Sequence, residues 1–102
     1  MGVTNLNGTS TAPVIIANNM LVDIDDGISN LASTPLNVIS AQYLKVVYNS
    51  IKLVANERVN VAAATFGGGL INNCSFQNNV VTCFDTTNFA LAYMPGSGSG
   101  NV

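Results

Sequence analysis

Cys74 and Cys83 are the one pair of reactive side chains in this 102-residue chain whose spacing suggests a geometry. If Asn78-Asn79 forms a two-residue hairpin loop, Gln77 faces Val80, Phe76 faces Val81, Ser75 faces Thr82 and Cys74 faces Cys83. Counting outward, the cysteines form a non-hydrogen-bonded pair. Cα atoms in such pairs approach to about 4.5 Å, the short end of the disulfide range. The same register leaves a second reading open, two buried reduced thiols acting as small hydrophobes. A reducing cytosol favours the thiols, and a particle that leaves the cell allows late oxidation to a disulfide. Redox or metal chemistry is the minor reading, because the spacing is not CxxC and the chain has no His to complete a zinc site.

The remaining chemistry is sparse. Ionisable side chains are limited to Lys45, Lys52, Arg58, Asp23, Asp25, Asp26, Glu57 and Asp85, apart from the tyrosines and cysteines. A Ser or Cys nucleophile needs a positioned base, and no His supplies one. Glu57 and Asp85 lie in separate elements with nothing to pair them for acid–base work. Asp23-Ile24-Asp25-Asp26-Gly27 fails as a calcium loop, since Gly27 is fifth instead of sixth and Thr34 stands where a Glu is required. Gly67-Gly68-Gly69 precedes a strand-like segment with no Lys behind it, so it reads as a turn or close backbone contact and not as a phosphate loop. No residue is assigned a catalytic, cofactor-binding or metal-binding role, and the chain reads as a non-enzyme.

Composition limits the partners. Charged residues make up 8% of the chain against 48% hydrophobic, with a formal net charge of −2. Three basic residues cannot build a phosphate-binding patch, which excludes nucleic acid and disfavours anionic membranes. No apolar run approaches the roughly 20 residues needed to span a bilayer. The N-terminal residues carry no basic segment followed by an apolar stretch, so no signal peptide is visible. The chain is expected to be made in the cytoplasm and to stay there, or to end in a virion or extracellular assembly. So few charges leave broad weakly polar surfaces, which fits a subunit that buries much of its area against copies of itself. The expected function is therefore a self-assembling homo-oligomeric structural protein, most plausibly a virus or phage component such as a capsid decoration or cement, tail or spike protein, with other particle subunits as further partners. The alternatives are an extracellular filament subunit or a small cytosolic protein-binding or ligand-binding module.

The elements that must position these residues read as α+β. Leu36, Ile39, Tyr43, Val46, Val47, Ile51 and Val54 gather on one face at 100° per residue, predicting an amphipathic helix over 35–56 with that face in the core or at an oligomer contact. Thr34 suits its N-cap and Pro35 its first turn. The β-branched and aromatic residues Val46, Val47, Tyr48, Ile51 and Val54 speak for strand instead. A second helix over 19–32 would complete a helical hairpin, with a β-hairpin over 14–24 as its competitor. After Asn56 the pattern changes to period two, predicting a four-stranded antiparallel meander over 59–66, 70–76, 80–85 and 89–94. Residues 1–13 read as a flexible N-terminal arm, 14–94 as one domain, and 95–102 as a flexible Gly/Ser tail. No internal repeat is evident beyond the hairpins.

Overall fold

In the computed structural model, Asn19, Asn49 and Asn79 stand one above another, and the side chain of each links it to the next. The structure describes residues 1–24, 34–54, 62–83, 89–94 and 98–102. Among them there are thirteen strands and no helix. All strand pairs are parallel. The chain is a parallel β-solenoid whose strands pair with the strands one turn earlier and one turn later.

The first rung comprises β1 (Gly2–Val3), β2 (Leu6–Asn7), β3 (Val14–Ala17) and β4 (Met20–Ile24). The second comprises β5 (Leu36–Val38), β6 (Ala41–Gln42), β7 (Leu44–Val47) and β8 (Ser50–Val54). The third comprises β9 (Ala62–Gly67), β10 (Ile71–Asn72), β11 (Ser75–Gln77) and β12 (Val80–Cys83). β13 (Phe89–Met94) opens a fourth rung by pairing with β9. The four sheets run β1-β5-β9-β13, β2-β6-β10, β3-β7-β11 and β4-β8-β12.

The helical hairpin and the antiparallel meander are both overturned by this arrangement. The segment 35–56 contains β5 to β8, and β4 occupies the start of the 19–32 helix, whose remainder over 25–32 lies outside the described residues. Strands do occur within the segments expected after Asn56, but 70–76 is broken at Asn73 into β10 and the start of β11, 59–61 and 84–85 lie outside the described residues, and each strand pairs with the rung before it and not with its neighbour in sequence. The internal repeat that sequence reading did not find is 30 residues long in two sheets. Ile16 pairs with Val46 and Val46 with Phe76, while Leu21 pairs with Ile51 and Ile51 with Val81.

Two classes of residue make the rungs. Inward positions carry apolar side chains that stack into one column per position: Ile16, Val46, Phe76 in one and Leu21, Ile51, Val81 in another. The intervening residues point outward, as period-two alternation requires. Corners are made by left-handed residues, Asn18 (φ 58°), Tyr48 (φ 57°) and Asn78 (φ 55°) between the third and fourth strands of each rung. Tyr43 (φ 50°) and Asn73 (φ 51°) form a second corner. Asn reaches this region at low cost, whereas a bulky Tyr does not. Gly69 serves a close approach instead, because a Cβ there would lie 2.6 Å from the Ile39 carbonyl oxygen.

The sequence-predicted apolar face is split by this geometry. Leu36, Val46 and Ile51 are buried inside the solenoid. Tyr43, Val47 and Val54 are half-buried, and Ile39 is exposed. They do not share a face, because corners reset the alternation between strands.

Candidate interaction surface

The interior contains one buried polar side chain among the described residues, Asn49, at 2% exposure. It is fully engaged. Its Nδ2 donates to the carbonyl oxygens of Ile16 and Val47 and to Asn79 Oδ1, each at 3.0 Å, two hydrogens shared among three acceptors. Its Oδ1 accepts from the backbone N–H and Nδ2 of Asn19, both at 3.0 Å. Its own backbone N–H donates to Asn79 Oδ1 at 2.9 Å. Asn79 Nδ2 in turn donates to the Val46 and Gln77 carbonyls at 2.8 and 3.0 Å. A carboxamide suits this position because it offers a donor and an acceptor along the stacking axis, satisfying corner backbone groups that would otherwise be buried unpaired.

The ladder ends at Asn79. Asn19 N–H reaches Asn49 Oδ1 and Asn49 N–H reaches Asn79 Oδ1, but among the described residues nothing accepts from the Asn79 N–H. Ser50 N–H donates to the Asn19 carbonyl and Val80 N–H to the Asn49 carbonyl, both at 2.9 Å, while the Asn79 carbonyl has no donor among the described residues. Residues 98–102 cover part of this end. Asn73 N–H donates to Ser99 O at 2.8 Å, Val102 N–H to Cys74 O at 2.9 Å, and Phe76 N–H to Val102 O at 2.7 Å. Asn101 reinforces the contact, its Oδ1 accepting from Cys74 N–H at 2.9 Å and its Nδ2 donating to Ile71 O at 2.8 Å. The segment expected as part of a Gly/Ser tail therefore forms the next layer on β10 and the start of β11, and residues 1–13, expected as an arm, carry β1 and β2.

Beside this partial layer lies an apolar cavity of about 270 Å³ lined chiefly by Phe66, Ile71, Cys74, Phe76, Leu91 and Val102. Phe66 and Phe76 meet edge to face, with ring centroids 5.2 Å apart. Cys74 is buried, its Sγ 3.4 Å from the Ala41 and Asn72 carbonyl oxygens. Cys83 is half-buried, and both cysteines are free thiols. The hairpin register that set them opposite each other does not form: Cys83 lies beside Leu53, and Ser75, next to Cys74, lies beside Lys45.

Outside the solenoid, large apolar side chains occupy outward positions on all three rungs near the asparagine corner. Ile15, Met20, Val22, Tyr48 and Val80 are between 49% and 79% exposed. Lys45 and Lys52 stand among them in the second rung. No group of three or more metal-ligating side chains occurs among the described residues. Asp25, Asp26, Glu57, Arg58 and Asp85 lie outside them. No helix among the described residues is long and apolar enough to cross a membrane.

No protein-family model, curated protein or solved structure matches this chain. The surface is therefore read from its own chemistry. Sequence reasoning missed both the Asn ladder and the outward apolar set. The signal for the ladder was available in the 30-residue recurrence of Asn19, Asn49 and Asn79, each followed two residues later by Leu21, Ile51 or Val81.

Proposed function

We propose that this chain is a non-enzymatic structural subunit that assembles with copies of itself, of the kind built into a virus or phage particle as a capsid decoration, tail or spike protein. The observation that carries the reading is the exposure of the large apolar side chains Ile15, Met20, Val22, Tyr48 and Val80 on the outside of the solenoid. Outward positions of a solenoid rung make no contribution to its core, so stability of the single chain does not require apolar residues there. Five of them on the outside of the strands flanking one corner, with Lys45, Ser50 and Lys52 between them, on a chain with 8% charged residues, are exposed apolar area of the kind that oligomers cover. The particle assignment rests on the sparse charge and on the uncharged polarity supplied by Asn, Ser, Thr and Gly.

The test is native mass across a dilution series, for the wild type and for Met20→Asp. Met20 is 79% exposed, so the substitution leaves the core untouched. A defined oligomer that persists on dilution, and that Met20→Asp converts to folded monomer, is the expected result. A wild-type chain that is monomeric at every concentration overturns the proposal.

A further inference from the structure

Lys45 and Lys52 are exposed, and they lie among the outward apolar side chains rather than away from them. Lys45 is in register with Ile15 and Lys52 with Val22, each one strand spacing of about 4.8 Å away. Met20, Ser50 and Val80 share a row between the two lysines, and Tyr48 makes the corner that separates their strands. Any surface that covers Ile15, Met20, Val22, Tyr48 and Val80 therefore meets both cations as well. Nothing on the same face offsets them. Among the described residues, the other outward positions of β3, β4, β7, β8, β11 and β12 hold apolar, hydroxyl or amide side chains and no carboxylate. The one acid in these strands, Asp23, is in register with buried Leu53. The whole chain nevertheless has five carboxylate side chains against three basic ones.

This charge pattern separates the two ways in which copies can pack. In a two-fold, isologous contact the face meets itself. A lysine then faces a lysine, whichever two-fold axis in the contact plane relates the copies, and like charges brought together across an interface oppose association. Sliding the copies toward their first rungs moves the lysines apart, but it uncovers Tyr48 of the second rung and Val80 of the third. A contact with a different surface of the next copy has neither defect, because carboxylates of that copy can stand opposite Lys45 and Lys52. We infer that the copies associate heterologously: the outer face of β3-β7-β11 and β4-β8-β12 packs against another, acid-bearing surface of the next copy, with Lys45 and Lys52 as the cationic side of the contact. Repeated from copy to copy, such a contact closes into a ring of three or more chains or runs on as a filament. The inference rests on the assembling-subunit reading and specifies which kind of surface the apolar face meets.

The test removes the two charges with residues the solenoid already uses. In the third rung the same register positions hold Ser75 and Thr82, so a double variant, Lys45→Ser with Lys52→Thr, gives the second rung its neighbour's outward residues and should keep the fold, checked by circular dichroism. Sedimentation equilibrium is then run over a dilution series at about 50 and 500 mM salt. The wild type should form species of three or more copies that weaken as salt rises, and the double variant should need a roughly tenfold higher concentration to assemble. An assembly that stops at a dimer overturns the inference. So does one that tightens with salt or on removal of the lysines, since that sign means like charges face each other. A second variant, Lys45→Glu with Lys52→Glu, is mixed with the wild type. In a heterologous contact it caps the growing assembly and lowers the mean mass. In a two-fold contact its glutamates meet wild-type lysines, and a mixture that assembles better than either chain alone overturns the inference. These failures leave the assembling-subunit reading standing, whereas a wild type that is monomeric at every concentration overturns both.

Discussion

The second rung and the end rungs use the same residue pattern and have different fates. Leu44, Val46, Ile51 and Leu53 of the second rung are at most 1% exposed, whereas the corresponding Val14 and Leu21 of the first rung and Val81 and Cys83 of the third are half-buried. The cause is the architecture. A rung in a solenoid is completed by the rungs on either side, and among the described residues the first rung has one such neighbour while the third is covered on β9 by β13 and on β10 and the start of β11 by residues 98–102, but not on β12. Burial, hydrogen-bond saturation and tolerance to substitution should all grade from the middle outward.

The strongest way to break this comparison lies within the second rung itself, at adjacent residues. Val46 is fully buried and Val47 is half-buried on the outward side. Val46→Asp places a carboxylate in the apolar column between Ile16 and Phe76, and the chain should fail to fold, read by circular dichroism and by the lack of a cooperative melt. Val47→Asp should fold and lose only about 1 kcal/mol. Equal damage at the two positions would mean that the inward and outward sides of β7 do not differ in their tolerance of charge.

A smaller contrast compares asparagines at equivalent corners. Asn49→Ala removes five hydrogen-bond links and leaves the Asn19 N–H and the Ile16 carbonyl without their partner side chain, so a loss of about 3 kcal/mol is expected in denaturant unfolding. Asn19→Ala acts at an exposed corner and should cost about 1 kcal/mol or less. Similar losses at both sites would mean that the ladder contributes no graded stability.

How much of this was legible in the sequence depends on which signal is followed. The strand preference of Val46, Val47, Ile51 and Val54 was visible and correct, whereas Tyr48 makes the left-handed corner between β7 and β8. It was outweighed by a 100° periodicity that arose from something else. Within β7 and β8 the inward residues alternate, Leu44 and Val46, then Ile51 and Leu53, but the left-handed corner at Tyr48 and the inward Asn49 shift the phase between them. A period of two broken by corners imitates 3.6 over a 20-residue window. The strand segments after Asn56 were found, yet their partners were not, because short strands separated by Asn-Asn suggest hairpins until a rung-length repeat is tested. Ile16, Val46 and Phe76 differ in size, so the 30-residue recurrence is carried mainly by Asn19, Asn49 and Asn79. The outward apolar set was not legible from composition, since exposure of Met20 or Val80 depends on which side of a strand each occupies.

The smallest effect has the opposite sign. Asn18, Tyr48 and Asn78 occupy one corner position in successive rungs, all with left-handed backbone, and only the middle one is a residue that resists it. Tyr48 is 63% exposed, so its ring contributes little to the core of a single chain. Tyr48→Asn should stabilise the folded monomer by about 0.5–1 kcal/mol by relieving the backbone cost. In a chain of this size that is a rise of several degrees in melting temperature. The same substitution removes the one aromatic residue from the outward apolar set and should narrow the concentration range over which the oligomer persists. A monomer made more stable while its assembly weakens would place Tyr48 at the contact. A less stable monomer would mean that its ring serves the fold, and an unchanged assembly would remove it from the contact.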